Sequence, residues 1–196
     1  MLTLGDRNIQ IIAEVKTHSP FGWTSLKGWD ELFKIADKVG EIISIHTDPR
    51  WHGSFDLLKK AKSLTDKPIL AKGIHESDAS IKRAIEAGAD YVLVVGRMPK
   101  LSEDVLLKCM VEPCTLDELR SIPSNMKAVW NSRDLVTGGL KSETFDQVRE
   151  IFPGWLCQAS NIKTIADVNE NTDAVLVGTH LEEFARSIIL PSPLFF

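Results

Sequence analysis

The sequence predicts an α/β fold in which eight parallel strands, each followed by a helix, close into a barrel. Three observations predict it. Short apolar, β-branched runs recur eight times, amphipathic stretches lie between them, and polar residues capable of chemistry follow nearly every run. Continuous apolar runs suit strands buried on both faces, as in a parallel sheet covered by helices. Eight strands alternating with helices fit the TIM (βα)8 barrel. The chain has 196 residues, against about 250 for a typical barrel of this kind, so some units must be short. An open doubly wound sheet shares the alternation, but no G-x-G-x-x-G follows the first run, which weakens a dinucleotide-binding version of it.

The strands are expected at Ile9 to Val15, Ile42 to Ile45, Ile69 to Ala71, Tyr91 to Val95, around Met110, Ala128 to Trp130, Leu156 to Cys157, and Ala174 to Val177. After the first, GWDELFKIADKVG places Leu32, Phe33, Ile35, Ala36 and Val39 near one helical face, with Gly40 as a C-terminal stop. SDASIKRAIEAGAD begins at a Ser77 or Asp78 cap and ends in Gly88. Between Val95 and Met110 there is room for one or two helical turns, in SEDVLLK, so the fourth helix is expected to be vestigial. SETFDQVREIFPG is expected to begin with Ser142 and stop at Pro153-Gly154, and LEEFARSII is the last helix. With no linker or low-complexity segment in view, residues 1–196 are read as one domain.

Composition narrows the function. Lysine and arginine total 23 against 27 acidic residues, and no basic block stands out, so nucleic-acid binding has no support. Cys109, Cys114 and Cys157 form no CxxC pair, which points to a reduced, cytoplasmic protein. No apolar run has the length of a membrane span, and the N-terminus does not read as a signal peptide. The short apolar tail PSPLFF is expected to pack on the barrel or fray. The five histidines show no H-x-x-H or H-E-x-x-H spacing, so a metal site is not expected.

In such a barrel the C-terminal strand ends share one mouth. Glu14 and Lys16, two apart, leave the same face of the first strand. Lys72 and Glu112 hold equivalent ends of the third and fifth strands. Two lysines and two carboxylates in one dry mouth shift each other's pKa values, as acid–base work near neutral pH requires. The second strand ends in His46, Thr47 and Asp48, and the sixth in Asn131, Ser132 and Arg133. Ser160-Asn161 after the seventh strand and Gly178-Thr179 after the eighth sit where barrels commonly hold phosphate. Trp51 is either core packing or a stacking surface for an aromatic ligand, whereas Trp130 belongs to the wall.

The segments IIAEVKTHSP, ISIHTDPRWHGSFDLL, PILAKGI, EAGADYVLVV, MVEPCTLDEL, VWNSRDL and DAVLVGTHL together resemble the indole-3-glycerol phosphate synthase family, in the family's order and over nearly the whole chain. The resemblance implies a cofactor-free ring closure of 1-(2-carboxyphenylamino)-1-deoxyribulose 5-phosphate, with loss of carbon dioxide and water. It implies that Lys16 and Lys72 are the catalytic lysines, with Lys72 the general acid, that Glu112 acts in the dehydration, and that Glu14 orients the lysine. It implies that Asn131 and Arg133 position the substrate and that Ser19, Ser160, Gly178 and Thr179 lie on the phosphate side. Trp51, Leu93, Val95 and Leu135 are implied for the pocket of the aromatic ring. The sequence departs from the family in Ala159-Ser160-Asn161 for Glu-Ser-Gly, in Lys72-Gly73 for Lys-Asp, in Ser19-Pro20-Phe21-Gly22 for Ser-Pro-Ser-x-Gly, and in lacking the N-terminal extension. The partner expected is a small phosphorylated molecule, with the chain a monomer or homodimer. A non-catalytic sugar-phosphate-binding barrel and a sugar-phosphate isomerase are the rival readings.

Overall fold

The computed structural model describes residues 2–4 and 7–189; the tail of residues 191–196 lies outside them. Eight barrel strands alternate with helices: β1 Arg7–Val15, β2 Ile42–His46, β3 Ile69–Lys72, β4 Tyr91–Val95, β5 Cys109–Glu112, β6 Lys127–Asn131, β7 Leu156–Ala159 and β8 Ala174–Val177. Every neighbouring pair is parallel, and the ring closes because β1 pairs with both β8 and β2. Closure rules out the open doubly wound sheet. It also leaves no free edge in the ring.

The helices are α1 Trp29–Val39, α2 Phe55–Lys62, α3 Asp78–Glu86, α4 Glu103–Leu106, α5 Leu116–Ser121, α6 Phe145–Ile151 and α7 Leu181–Ile189. Leu32, Phe33, Ala36 and Val39 of α1 are buried against the barrel. Gly40 does end α1, though with an ordinary φ of -82°. What needs glycine there is space, since a Cβ would fall 2.7 Å from that of Ala13 on β1. α3 is capped by Ser77, whose side chain accepts from the Ser80 amide. α4 is four residues long, the vestige expected. α6 begins later than expected: Thr144, not the Ser142 end of the segment, is its cap and accepts from the Gln147 amide, while Gln147 returns a bond to Thr144. A hydroxyl three residues before a glutamine closes a capping box, which Ser142 has no partner to form.

Two small additions decorate the barrel. Leu2–Leu4 folds back antiparallel on the start of β1. At the other end His18–Ser19 and Trp23–Thr24 form a short hairpin, and Phe21 at its tip lies against Gly138 of the β6–α6 loop, where a Cβ would stand 2.8 Å from the ring.

Side chains alternate in and out along each strand. Outward residues such as Ile11, Ile43, Val92 and Val175 pack under the helices. Inward ones build a second core of Ile12, Ile42, Leu70, Leu93, Met110, Val129, Cys157, Ala174 and Leu176. This inner core is the floor of the mouth. Two residues further along each strand stand Glu14, Ser44, Lys72, Val95, Glu112, Asn131, Ala159 and Gly178, and two residues beyond Glu14 and Ser44 come Lys16 and His46.

Candidate active site

The mouth is a cleft of about 760 Å³ counted to its opening. Its lining includes Glu14, Lys16, Trp51, Lys72, Leu93, Val95, Glu112, Asn131, Arg133, Leu135, Ser160, Gly178 and Thr179. Of the residues singled out from the sequence, Ser19 stands apart. It is buried in the mouth hairpin, where its hydroxyl accepts from the Phe21 amide at 3.4 Å. Asn161, paired with Ser160 in the sequence, also lines the cleft, as do Phe21, His46, Ile74 and His180, which were not singled out as site residues. For His46 the signal was present: it lies two positions after Ser44 and four after Ile42, on the inward parity of β2.

Glu14 is the hub. Its Oε1 lies 2.9 Å from Lys72 Nζ and 2.5 Å from His46 Nε2. Burial would raise its pKa, but Lys72, His46 and Lys16 overcome that and hold the carboxyl well below the usual range. Lys16, two residues on, does not close an ion pair with Glu14; its ammonium donates to Thr179 Oγ1 at 3.3 Å and faces the Trp23 ring at 5.8 Å. Burial pushes the Lys16 pKa down, and Lys72 and Arg133 add to that against the pull of Glu14. For Lys72 the balance is reversed: burial lowers its pKa, yet Glu14 and Glu112 outweigh the burial and the result lies above the ordinary lysine value.

Glu112 sits opposite. Burial raises its pKa despite Lys72 and the bond from Asn131. Asn131 Nδ2 donates to Glu112 Oε1 at 2.9 Å. The Asn131 carbonyl oxygen in turn accepts from the Ser160 hydroxyl at 2.6 Å and the Arg133 amide at 3.0 Å. Two donors on that oxygen fix which way the amide points. Ser160 and Asn161 both have positive φ, 72° and 57°, a conformation that Asn tolerates better than most residues. The arrangement thus holds one firm ammonium and one firm carboxylate. Beside them stand an amine made easier to deprotonate and a carboxyl made easier to protonate, which is a proton-transfer set. Among the described residues no group of three or more His, Cys, Asp and Glu side chains is placed to hold a metal ion. Cys109, Cys114 and Cys157 are free thiols.

The family model described as indole-3-glycerol phosphate synthase matches residues 1–186. The indole-3-glycerol phosphate synthase of Pyrococcus furiosus is 34% identical over 195 residues, covering 87% of this chain and 85% of that protein. Its counterpart from Pyrococcus abyssi is 32% identical over 194 residues, covering 87% and 84%. Among solved structures, 3-hexulose-6-phosphate synthase from Salmonella typhimurium superposes with a TM-score of 0.66 at 14% identity, covering 92% of this chain and 99% of that one. At that identity the likeness shows the barrel fold alone.

Proposed function

This chain belongs to the indole-3-glycerol phosphate synthase family, and we propose from that membership how its barrel mouth performs the family's reaction. It is a carboxy-lyase of tryptophan biosynthesis, closing the pyrrole ring of indole-3-glycerol phosphate from the anilino-ribulose phosphate with loss of carbon dioxide and water. The observation that carries the residue assignment is the buried Lys72 ammonium between Glu14 and Glu112. Attack of the aromatic carbon on the ketone develops negative charge on the carbonyl oxygen, and a fixed ammonium in a dry site relieves it with both charge and a proton. The substrate carboxylate leaves as neutral carbon dioxide and the carbonyl oxygen leaves as water, so each turnover takes up one proton from outside the substrate. Lys16 and Glu112, with pKa values displaced toward each other by burial, are the groups suited to the later proton transfers. Asn131 aims Glu112.

The phosphate is assigned to the end of the mouth where Ser160, Gly178, Thr179 and the start of α7 meet. The aromatic ring is assigned to Trp51, Leu93, Val95 and Leu135, with Arg133 positioning the substrate. The same reading takes residues 1–196 as one domain acting in the cytoplasm as a monomer or homodimer. Among the described residues no helix is long and apolar enough to cross a membrane. The non-catalytic alternative draws on Ala159, where the family has a glutamate. It is not favoured, because a mere binder has no need of the Lys16, Lys72, Glu112 and Asn131 set.

Purified protein should convert the anilino-ribulose phosphate with the appearance of indole fluorescence. Lys72→Met, which keeps the side chain's length, should lower kcat about a hundredfold or more and change substrate affinity far less. Comparable kcat in Lys72→Met would remove Lys72 from the role of acid. Substrate binding without turnover in the unaltered protein would give the non-catalytic reading first place.

A further inference from the structure

His46 ends β2 beside Lys72 in the sheet register, and 5% of it is exposed. Its Nε2 approaches the one oxygen of Glu14 that Lys72 also approaches, at 2.5 Å against 2.9 Å. The approach is a close polar contact, and among the described residues neither ring nitrogen, both buried, has an aligned hydrogen-bond partner. The ring is nonetheless fixed. Trp51 stacks on it with 5.6 Å between centroids and 4° between planes. Gly53 presses on its backbone so closely that a Cβ would stand 2.5 Å from the His46 carbonyl carbon, and the Ser54 amide donates to the His46 carbonyl oxygen at 3.1 Å. A buried ring with an unpartnered nitrogen costs free energy that an apolar side chain of similar size would not. Packing alone therefore does not account for histidine at this position.

We propose that His46 is a positioning residue for Glu14: it shares the Oε1 atom with Lys72, holds the carboxylate in place as an anion, and keeps it from closing an exclusive pair with the Lys72 ammonium. The inference rests on the reading of the mouth as the site of ring closure. A pair left to itself in a dry site tightens, and an ammonium so held is a poorer proton donor to a third group. With the carboxylate shared, Lys72 keeps its charge and remains available to the substrate side of the cleft. The groups that face His46 are Glu14 from β1 and Lys16 just after it, Lys72 from β3, and Asp48 and Trp51 from the loop after β2. Burial and the two lysines lower the imidazole's pKa more than Glu14 raises it, so near neutral pH the ring serves as a polar partner and not as a second cation.

The experiment uses two variants of the whole chain. His46→Leu removes both nitrogens at similar bulk, whereas His46→Gln returns a side-chain N–H of similar reach. His46→Leu should lower kcat by about tenfold or more with little change in KM, on the scale of a misplaced catalytic group. It should also move the acidic limb of the kcat–pH profile to higher pH, because Glu14 loses a group that favours its anion. His46→Gln should restore most of kcat and return the limb. A loss confined to melting temperature, with kcat and the limb unchanged in both variants, overturns the proposal. A second measurement does not depend on turnover: imidazole nitrogen resonances of His46 are titrated in the unaltered chain and in Glu14→Gln. The His46 pKa should fall in Glu14→Gln, since the carboxylate raises it, and an unchanged value overturns the proposal. If the chain fails to turn over the anilino-ribulose phosphate while this shift is present, the reaction assignment falls and the His46–Glu14 coupling stands.

Discussion

Gly178 passes so close to Glu14 that an ideal Cβ would fall 1.7 Å from Oε2. The glycine just after β8 is thus a steric requirement of a carboxylate on β1, in addition to the phosphate-side place proposed for it. Gly178→Ala should displace Glu14 from Lys72 and His46 and lower kcat about a hundredfold. It should cost about 1–3 kcal/mol, the usual scale for forcing an atom into a filled site. Turnover together with a urea midpoint checks both, and unchanged kcat would show that the carboxylate relocates freely. Residues of this kind were legible where inward parity met an ionisable or amide side chain: Glu14, Lys16, Lys72, Glu112 and Asn131 all line the cleft. His46 satisfied the same parity, but a lone histidine after an apolar run carries no sign of which carboxylate it will meet. The contact is made between strands, and no local spacing encodes it. Ser19 is the converse case: the resemblance implied the phosphate side for it, and in the tight hairpin its hydroxyl accepts from the Phe21 amide.

The strands were the most legible elements, because each is a short β-branched run that can be buried only between helices and the barrel interior. Helix boundaries were less so. Several hydroxyl residues precede α6, and the one that caps is chosen by a glutamine three positions on. Thr144→Ala should therefore destabilise the protein by about 1 kcal/mol, and Ser142→Ala should leave it nearly unchanged. Chemical denaturation of the two variants measures this directly, and equal losses would show that the cap lies elsewhere. α2 was less legible because FDLLKKAK is only eight residues long; it is held by the Ser54 cap, which accepts from the Leu57 amide. The return of Leu2–Leu4 onto β1 was not legible at all, since three residues of alternating character carry no periodicity.

For the molecule as a whole, closure was legible from the count of strands, and stability is tied to the mouth through its charges. Glu112 has a folded-state pKa above its unfolded one, because burial disfavours its anion. Such a group contributes stability that is present below the unfolded value and is lost as pH rises through the folded value. Glu112→Gln keeps an oxygen for the Asn131 donor and removes the charge. Its melting temperature should match the unaltered chain near pH 4 and exceed it by pH 8, by an amount equivalent to about 1 kcal/mol or more. Thermal melts across that range decide it, and a variant less stable at pH 8 would show that attraction to Lys72 exceeds the burial cost. The two-layer interior has one more consequence. Most mouth residues stand above an apolar floor, so each strand end is an address for chemistry, coupled to its neighbours through contacts such as Glu14 with Lys72 and Asn131 with Ser160 but largely separate from the packing beneath. β2 carries an imidazole at its address and β7 carries only the methyl of Ala159. A library randomised at those addresses alone would explore new chemistries while leaving the folding instructions of the chain untouched.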